Sequence, residues 1–265
     1  MKFTALMPLH NVVNFDLFKK SINSVTANSL LPDEFLILVD GYLSNNKKEF
    51  LFLQKKKNRF IKIFFFEKRG LVRILNYGLK IAKHNVIARV DSDDVNDKHR
   101  FFKQISFYKK KKLDILGSNI NEIFHGRAYC KKVINQPKLF NFMLSNPINH
   151  PTVIFNRKKI MKIGSYPDIK FKEDFALWLL AKLNGLRINN LNECLVTSHY
   201  NVSTIKRRKS LDAIISEFKI LIFLGKKNIP YILIFILFLP IRLTYLLMPN
   251  FFYIFVYKNF LRKKL

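Results

Sequence analysis

Four short runs of almost unbroken apolar residues, Phe3 to Met7, Phe35 to Val39, Ile61 to Phe66 and Val86 to Val90, recur through the first third of the chain and limit its fold more than any other feature. Runs this short, with no polar alternation, read as strands buried on both faces. Between them lie amphipathic stretches with helical spacing, among them Asp16 to Ser24 and Leu71 to Lys83. Repeated strand-helix-strand units of this length imply right-handed crossovers and a mainly parallel sheet with helices on both faces. Ligands of such α/β sheets bind at the carboxyl ends of the strands. Three polar clusters follow directly on the predicted strands: Pro8 to Asn11, Asp40-Gly41 and Asp91 to Asp94.

Beyond this region, Leu113 to Tyr200 mixes short strands with one helix, Glu173 to Asn184, whose Phe175, Leu177, Trp178, Leu179 and Leu180 predict heavy burial. No internal repeat or low-complexity linker interrupts the chain. Its 265 residues suit one large domain, or a main domain with a shorter appendage. The organisation expected is a domain over 1–204, divided into halves 1–112 and 113–204, followed by a basic and apolar helical tail over 205–265. In that tail Lys206-Arg207-Arg208-Lys209 opens an amphipathic helix, and Ile229 to Tyr257 is almost wholly apolar apart from Arg242 and Asn250.

About 20 apolar residues suffice to cross a bilayer. Pro230, Pro240 and Pro249 would break this stretch, however, and Arg242 near mid-membrane would cost roughly 2.5 to 3.5 kcal/mol. Interfacial helices on the inner leaflet fit better, with Lys258, Arg262, Lys263 and Lys264 at the headgroups. One spanning or re-entrant helix, or a buried globular segment, are the other readings.

Lys and Arg total 47 against 18 Asp and Glu, a formal charge of +29 that favours polyanionic partners such as nucleic acid, anionic lipid or phosphorylated substrates. Part of the surplus is solvated surface in a chain rich in Lys, Asn, Ile and Phe. Cys130 and Cys194 are the only cysteines, which excludes a disulfide framework or sulfur-rich zinc site and suggests a reducing compartment. The apolar run Phe3 to Leu9 is too short for a secretory signal, so the main domain is expected in the cytoplasm.

The strongest chemical signal is Ile87-Ala88-Arg89-Val90-Asp91-Ser92-Asp93-Asp94, three carboxylates just past a buried strand. Residues two apart on extended backbone share a side, so Asp91 and Asp93 can face one site. Hard carboxylate oxygens suit Mg²⁺ or Mn²⁺, and such a cation can bridge the phosphates of a diphosphate. Without a cation, carboxylates this close repel one another. Taken alone, an Asp-x-Asp more often caps a loop or helix.

Its partners change that reading. Met7-Pro8-Leu9-His10-Asn11, Leu38-Val39-Asp40-Gly41-Tyr42-Leu43-Ser44, Arg69-Gly70-Leu71 with Leu75 to Leu79, and Ala88 to Asp94 with Arg100-Phe101 and Gln104 come in order. Asn149-His150-Pro151-Thr152 and Glu173-Asp174-Phe175-Ala176-Leu177-Trp178 follow. From Met7 to about Tyr200 the chain resembles family 2 of the glycosyltransferases, the inverting group with the nucleotide-binding α/β fold called GT-A. It is similar in particular to the bacterial enzymes of capsule, exopolysaccharide and lipopolysaccharide synthesis, the amylovoran type among them.

The resemblance implies transfer of a sugar from a nucleotide-diphosphate sugar to an acceptor hydroxyl, lipid-linked or on a growing glycan, at the cytoplasmic face of the bacterial inner membrane. It implies Mn²⁺ or Mg²⁺ held by Asp93, with Asp91 contacting ribose or supporting the metal. Pro8, Asn11, Asp40, Arg69, Asp91 and Ser92 would border the nucleotide sugar. Asp174 would be the general base, supported by Glu173, with His150 and Trp178 on the acceptor side.

Plainer roles stand beside these. Glu173 and Asp174 favour a helix N-terminus through its dipole, Trp178 is core or acceptor contact, His150 fixes its loop or touches acceptor or phosphate, and Arg69 and Arg73 are surface charges or diphosphate contacts. Val39 stands where many relatives carry a first acidic residue, so base recognition would fall to Asp40. His10 and Lys68 also depart from the family pattern. A basic nucleic-acid-binding protein leaves the acidic cluster at the sheet edge unexplained, so no nucleic-acid partner is expected; an inactive transferase-like protein that binds nucleotide or membrane is the other alternative.

Overall fold

The computed structural model describes residues 1–124, 126–199, 210–226, 229–249, 251–252, 256 and 263–264. Four strands, β1 (Phe3–Leu9), β2 (Glu34–Asp40), β3 (Ile61–Phe66) and β4 (Val86–Arg89), alternate with helices α1 (Phe15–Thr26), α2 (Asn45–Lys57) and α3 (Leu71–Ile81). They pair in parallel in the order β3-β2-β1-β4. Every residue of β1 and β4 is buried, as unbroken apolar runs require. The two-residue side-chain period sorts them: Leu6, Leu36 and Leu38 pack with α3 on one face, while Ala5, Met7, Phe35, Ile37 and Val39 pack with α1 on the other.

Helix α3 approaches the sheet closely because Gly78 faces it. A Cβ there would lie 2.6 Å from Leu6 Cδ1 and 2.8 Å from Leu38 Cδ1, which only glycine avoids.

The second half does not continue the parallel pattern. After β5 (Val95–Asn96) and α4 (Arg100–Lys110) come β6 (Ile115–Phe124), β7 (Arg127–Lys131), α5 (Leu139–Leu144), a 3-10 turn at His150–Thr152, β8 (Ile154–Asn156), α6 (Arg157–Lys162), α7 (Glu173–Leu183) and β9 (Ile188–His199). Strand β8 runs antiparallel between β4 and β6, and β7 is antiparallel to β6. Strand β9 is parallel to β6 and antiparallel to β5. The sheet is therefore mixed, and the expectation of a mainly parallel sheet holds only for its first four strands. The physical reason is that β6 and β7 are joined by a turn too short for a helical crossover, and β8, wedged between β4 and β6, has only three residues.

The C-terminal part forms α8 (Leu211–Gly225) and α9 (Ile229–Leu247), followed by β10 (Lys263–Lys264), which pairs antiparallel with β7. Among the described residues no helix is long and apolar enough to cross a membrane. The expected break at Pro240 is absent: α9 continues through it. A proline inside a helix costs roughly 3 kcal/mol, and tertiary anchoring by its neighbours offsets this. Phe235, Arg242 and Leu246 are buried, and Ile220, Leu224 and Phe235 belong to the same apolar core as α7.

Arg242 is thus solvated by protein. Its guanidinium meets Glu217 through Nε at 2.8 Å and Nη2 at 3.1 Å. The basic run Lys206 to Lys209, and Lys258 and Arg262, lie outside the described residues, as does the expected boundary at 204/205.

Candidate active site

The carboxyl ends of β1, β2 and β4 lie side by side, and each delivers one of the polar clusters. The β1–β4 ladder reaches Leu6↔Arg89, and Val90 N donates to Leu6 O at 3.0 Å. The next parallel bond would take an N–H from residue 8. Pro8 has none, and the Val90 carbonyl instead accepts from Arg89 Nη1 at 2.5 Å. The proline thereby ends the β1–β4 ladder at the carboxyl ends of the strands, and the buried Arg89 takes the carbonyl it leaves free.

Arg89 organises the electrostatics. It is buried, and its Nη2 lies 2.6 Å from Asp91 Oδ1. That oxygen has no aligned hydrogen bond, so the attraction is an ion pair of imperfect geometry. The Asp91 carbonyl is fixed from α1 by Ser21 Oγ at 2.7 Å. Ser92 is buried behind it.

Asp93 is exposed to solvent. Burial first and the charge of Asp91 second raise its pKa, against the pull of His10 and Arg89. Asp94 points inward. It is fully enclosed, and burial with the charges of Asp91 and Asp93 holds its pKa well above the carboxylate range. Arg100, pushed down to about 9 by burial, donates to the Arg89 carbonyl at 2.8 Å and to Gln104 at 3.0 Å, and also meets Asn96. This network locks the turn after β4 from beneath.

The second acidic pair comes from the start of α7. Glu173 and Asp174 occupy its first turn, after Lys172 at the N-cap. Burial, then the charge of Asp174, pushes Glu173 up to about 7, while Arg89 opposes and Asp91 reinforces the shift. The two acidic clusters are therefore near enough to feel each other's charge. Asp174 is also raised, chiefly by burial, and is held by the Phe175 N–H and by Asn146 Nδ2 at 2.8 Å.

His150 stands beside them, with Nε2 3.0 Å from the Tyr166 hydroxyl. Burial and the nearby Arg89 press its pKa well down, so it is neutral at physiological pH. Trp178 is completely buried, with its ring 5.9 Å from that of His150 and 6.2 Å from that of Tyr166. It backs these two side chains from the core, so the indole itself is a core residue.

Other expected binding residues have local partners. Asp40 accepts the backbone N–H of Arg69 at 2.6 Å and of Gly70 at 3.0 Å. It thereby closes the turn into α3, where Gly70 takes φ +87° and leaves the N-cap without a side-chain acceptor. Asn11 Oδ1 accepts Ser44 N at 2.9 Å and joins the loops after β1 and β2. Arg69 is exposed, 5.4 Å above the Phe66 ring. The structure thus gathers Asp91, Asp93, Glu173 and His150 around Arg89, with Asp174 beside Glu173, and gives Asp40 and Asn11 loop-fixing contacts.

Sequence reading missed Arg89, Asn146 and Tyr166. Arg89 carried a signal: an arginine inside an otherwise apolar strand must find a carboxylate. Asn146 and Tyr166 carried none, because both sit in irregular segments.

A parallel sheet ending in carboxylates, faced by a second acidic pair from an inserted antiparallel half, defines a nucleotide-sugar transferase fold of the GT-A type. The chain belongs to glycosyl transferase family 2, whose family model matches residues 4–162, and it is a glycosyltransferase. It is 31% identical over 269 residues to UDP-Gal:alpha-D-GlcNAc-diphosphoundecaprenol beta-1,3-galactosyltransferase of Escherichia coli, covering 99% of this chain and 97% of that one. It is 28% identical to the amylovoran biosynthesis glycosyltransferase AmsE of Erwinia amylovora, over 81% of this chain and 82% of the relative. Among solved structures it resembles S. aureus TarS with a TM-score of 0.67 and 19% identity, over 84% of this chain and 39% of TarS, a likeness of fold.

Proposed function

We propose that the protein is an inverting glycosyltransferase that moves a hexose from a UDP-hexose to a hydroxyl of a diphospholipid-linked sugar, in the assembly of a bacterial surface polysaccharide or lipopolysaccharide. The observation that carries this reading is that Asp91 and Asp93, just past β4, and Glu173, at the start of α7, all feel the charge of Arg89, with Asp174 next to Glu173. Similarity along nearly the full length to a relative named for a UDP-Gal donor and a GlcNAc-diphosphoundecaprenol acceptor supports the choice of substrates.

Asp174 is the general base. Its carboxylate is oriented by Asn146 and the Phe175 N–H, and its raised pKa brings it toward the working pH, where a base is most effective. Removing the acceptor proton lets that oxygen attack the anomeric carbon from the face opposite the diphosphate, which inverts the configuration. Glu173, next to Asp174 and pushed up to about 7, titrates in concert with it, so the charge beside the base depends on pH. His150, held neutral, can donate or accept a hydrogen bond to the acceptor sugar without adding charge.

The residues present fit Mn²⁺ or Mg²⁺. Asp93 is exposed, and its pKa is raised by burial first and by the charge of Asp91 second, so a cation on its solvent side would relieve the repulsion that Arg89, engaged with Asp91 Oδ1, leaves in place. Among the described residues no group of three or more His, Cys, Asp or Glu is placed to hold a metal alone. That suits a cation bound by one or two carboxylates and completed by substrate phosphates. Asp93 and Asp91 would hold it, and it would supply neutralisation of the departing diphosphate. Pro8, Ser92 and Arg69 border the donor, and Asn11 and Asp40 shape the loops that close on it.

Residues 1–204 form the catalytic domain, with a donor half over 1–112 and an acceptor half over 113–204, and 205–265 form the membrane-associating part. The protein works peripherally on the inner leaflet. Supporting this, α8 exposes Leu211, Ile215, Phe218 and Ile222, and α9 exposes Leu233, Leu237 and Ile241. Both sets follow helical spacing and make apolar stripes on faces turned away from the core. Residence on the acceptor's own surface raises its effective concentration.

The test is incubation of purified protein with UDP-galactose or UDP-glucose, Mn²⁺ and a GlcNAc-α-diphospholipid analogue. A disaccharide product with a β linkage is expected. Donor binding without transfer to any acceptor in such a panel would favour an inactive transferase-like protein.

A further inference from the structure

The segment that leads into the acidic pair is held from outside the catalytic sheet. Phe171, two residues before Glu173, takes a left-handed backbone with φ 63°. A bulky non-glycine residue adopts this only where its surroundings impose it. Helix α8 grips both sides of that residue. Ser216 Oγ lies 2.6 Å from the Lys170 carbonyl and 2.7 Å from the Asp212 carbonyl of its own helix, its one proton bridging the two, and Glu217 Oε1 lies 2.6 Å from Lys172 Nζ. Glu217 is itself held by the two-point contact of Arg242 from α9.

The same guanidinium donates to the carbonyls of Phe142 and Met143, at 3.4 and 3.3 Å. It also stacks 4.6 Å from the ring of Phe175 on α7. Met143 lies three residues before Asn146, which donates to Asp174. Arg242 therefore touches the helix that carries the base and the end of the segment that orients it.

We infer that Ser216, Glu217 and Arg242 are positioning residues for the acceptor-side acidic pair: the helical pair α8–α9 clamps the left-handed turn at Phe171 and so fixes where Asp174 stands. Glu217 is buried with two cations. Burial alone would raise its pKa, and Lys172 and Arg242 more than offset that, so it stays an anion. A fully paired carboxylate of this kind sets geometry more than stability. None of the three residues touches the acidic run after β4, whose Asp91 is anchored by Arg89 and Ser21. The clamp should thus act on the transfer step and leave the nucleotide alone. Residues outside the matched family segment, which ends at 162, become part of the catalytic apparatus.

This inference rests on the assignment of Asp174 as base, and the experiment separates the two. The full-length protein and its Ser216→Ala, Glu217→Gln and Arg242→Lys variants are compared for UDP affinity by calorimetry, for melting temperature, and for kcat and KM with UDP-galactose or UDP-glucose and the GlcNAc-α-diphospholipid analogue. Amide exchange is followed over residues 170–176. Failure of the wild type to transfer either sugar would count against the substrate reading and leave amide exchange and UDP affinity to judge the clamp.

With a working wild type, Glu217→Gln is expected to lower kcat at least tenfold, with UDP affinity and donor KM within twofold. Exchange over 170–176 should accelerate at least tenfold. Arg242→Lys, which keeps the charge and loses the two-point contact, should fall between it and the wild type. Should Glu217→Gln fail to fold, Ser216→Ala carries the test, with a threefold or greater loss in kcat at unchanged melting temperature. Unchanged exchange and kcat in the folded variants, or a loss of UDP affinity equal to the loss of kcat, would overturn the inference.

Discussion

Replacing Glu173 by Gln should stabilise the free protein, and only at alkaline pH. The Glu173 carboxyl is buried at the first turn of α7 and is pushed up from its ordinary 4.5 to about 7, by burial first and by Asp174 second. A carboxyl whose pKa is higher in the native state binds its proton more tightly there. Its contribution to stability is therefore fully present below the unfolded value and is lost as pH rises through about 7. At about 1.4 kcal/mol per pH unit, the rise corresponds to about 3 kcal/mol of native-state instability once the group ionises. The charge of Asp174 acts on this titration, so the quantity belongs to the pair.

Gln cannot ionise and escapes that loss. Urea unfolding of wild type and Glu173→Gln at about pH 4.5 and about pH 8.5 measures the difference. With a slope of about 3 kcal/mol per molar, the variant's midpoint should exceed that of the wild type by about 1 M at the higher pH and match it at the lower. Equal midpoints at both values, or a variant weaker by the same amount at both, would refute the argument that the side chain is forced to carry a buried charge.

Three further outcomes follow from the packing and the site. Gly78→Ala places a methyl against Leu6 and Leu38 and should cost about 1 to 3 kcal/mol by overpacking, outweighing the gain in helix propensity; calorimetric unfolding checks it. Leu233→Asp with Leu237→Asp alters side chains that are 67% and 74% exposed. It should leave the melting temperature unchanged and reduce binding to anionic phospholipid vesicles at least tenfold in a flotation assay. Asp93→Ala should abolish the increase in UDP affinity that Mn²⁺ confers while retaining the metal-free affinity, measured by calorimetry.

The parallel half of the fold was legible because its information is local. Each of the first four strands is a short apolar run, and α1 and α3 carry their periodicity within about a dozen residues. The rest depended on distant pairings. The three residues of β8 acquire meaning only between β4 and β6, and no local pattern reveals that. The acidic residues were legible as chemistry, since Asp91, Asp93, Glu173 and Asp174 are dense clusters beside predicted elements. Their supports were not. Asn146 reaches Asp174 across 28 positions. Arg242 looked like an obstacle to membrane insertion until Glu217, 25 positions away, supplied its counter-charge. The turn-closing contacts of Asp40 were hidden for the same reason: the backbone N–H groups it accepts belong to a turn 29 residues further on.

The account stands or falls on Asp174 acting at the acceptor and not at the donor. Turnover and UDP affinity of Asp174→Asn, a change that keeps shape and removes the basic oxygen, test this together. The account requires that transfer to the GlcNAc-α-diphospholipid analogue fall by about 10²- to 10⁴-fold with UDP affinity unchanged. Transfer at the wild-type rate, or a parallel loss of UDP binding, would contradict it.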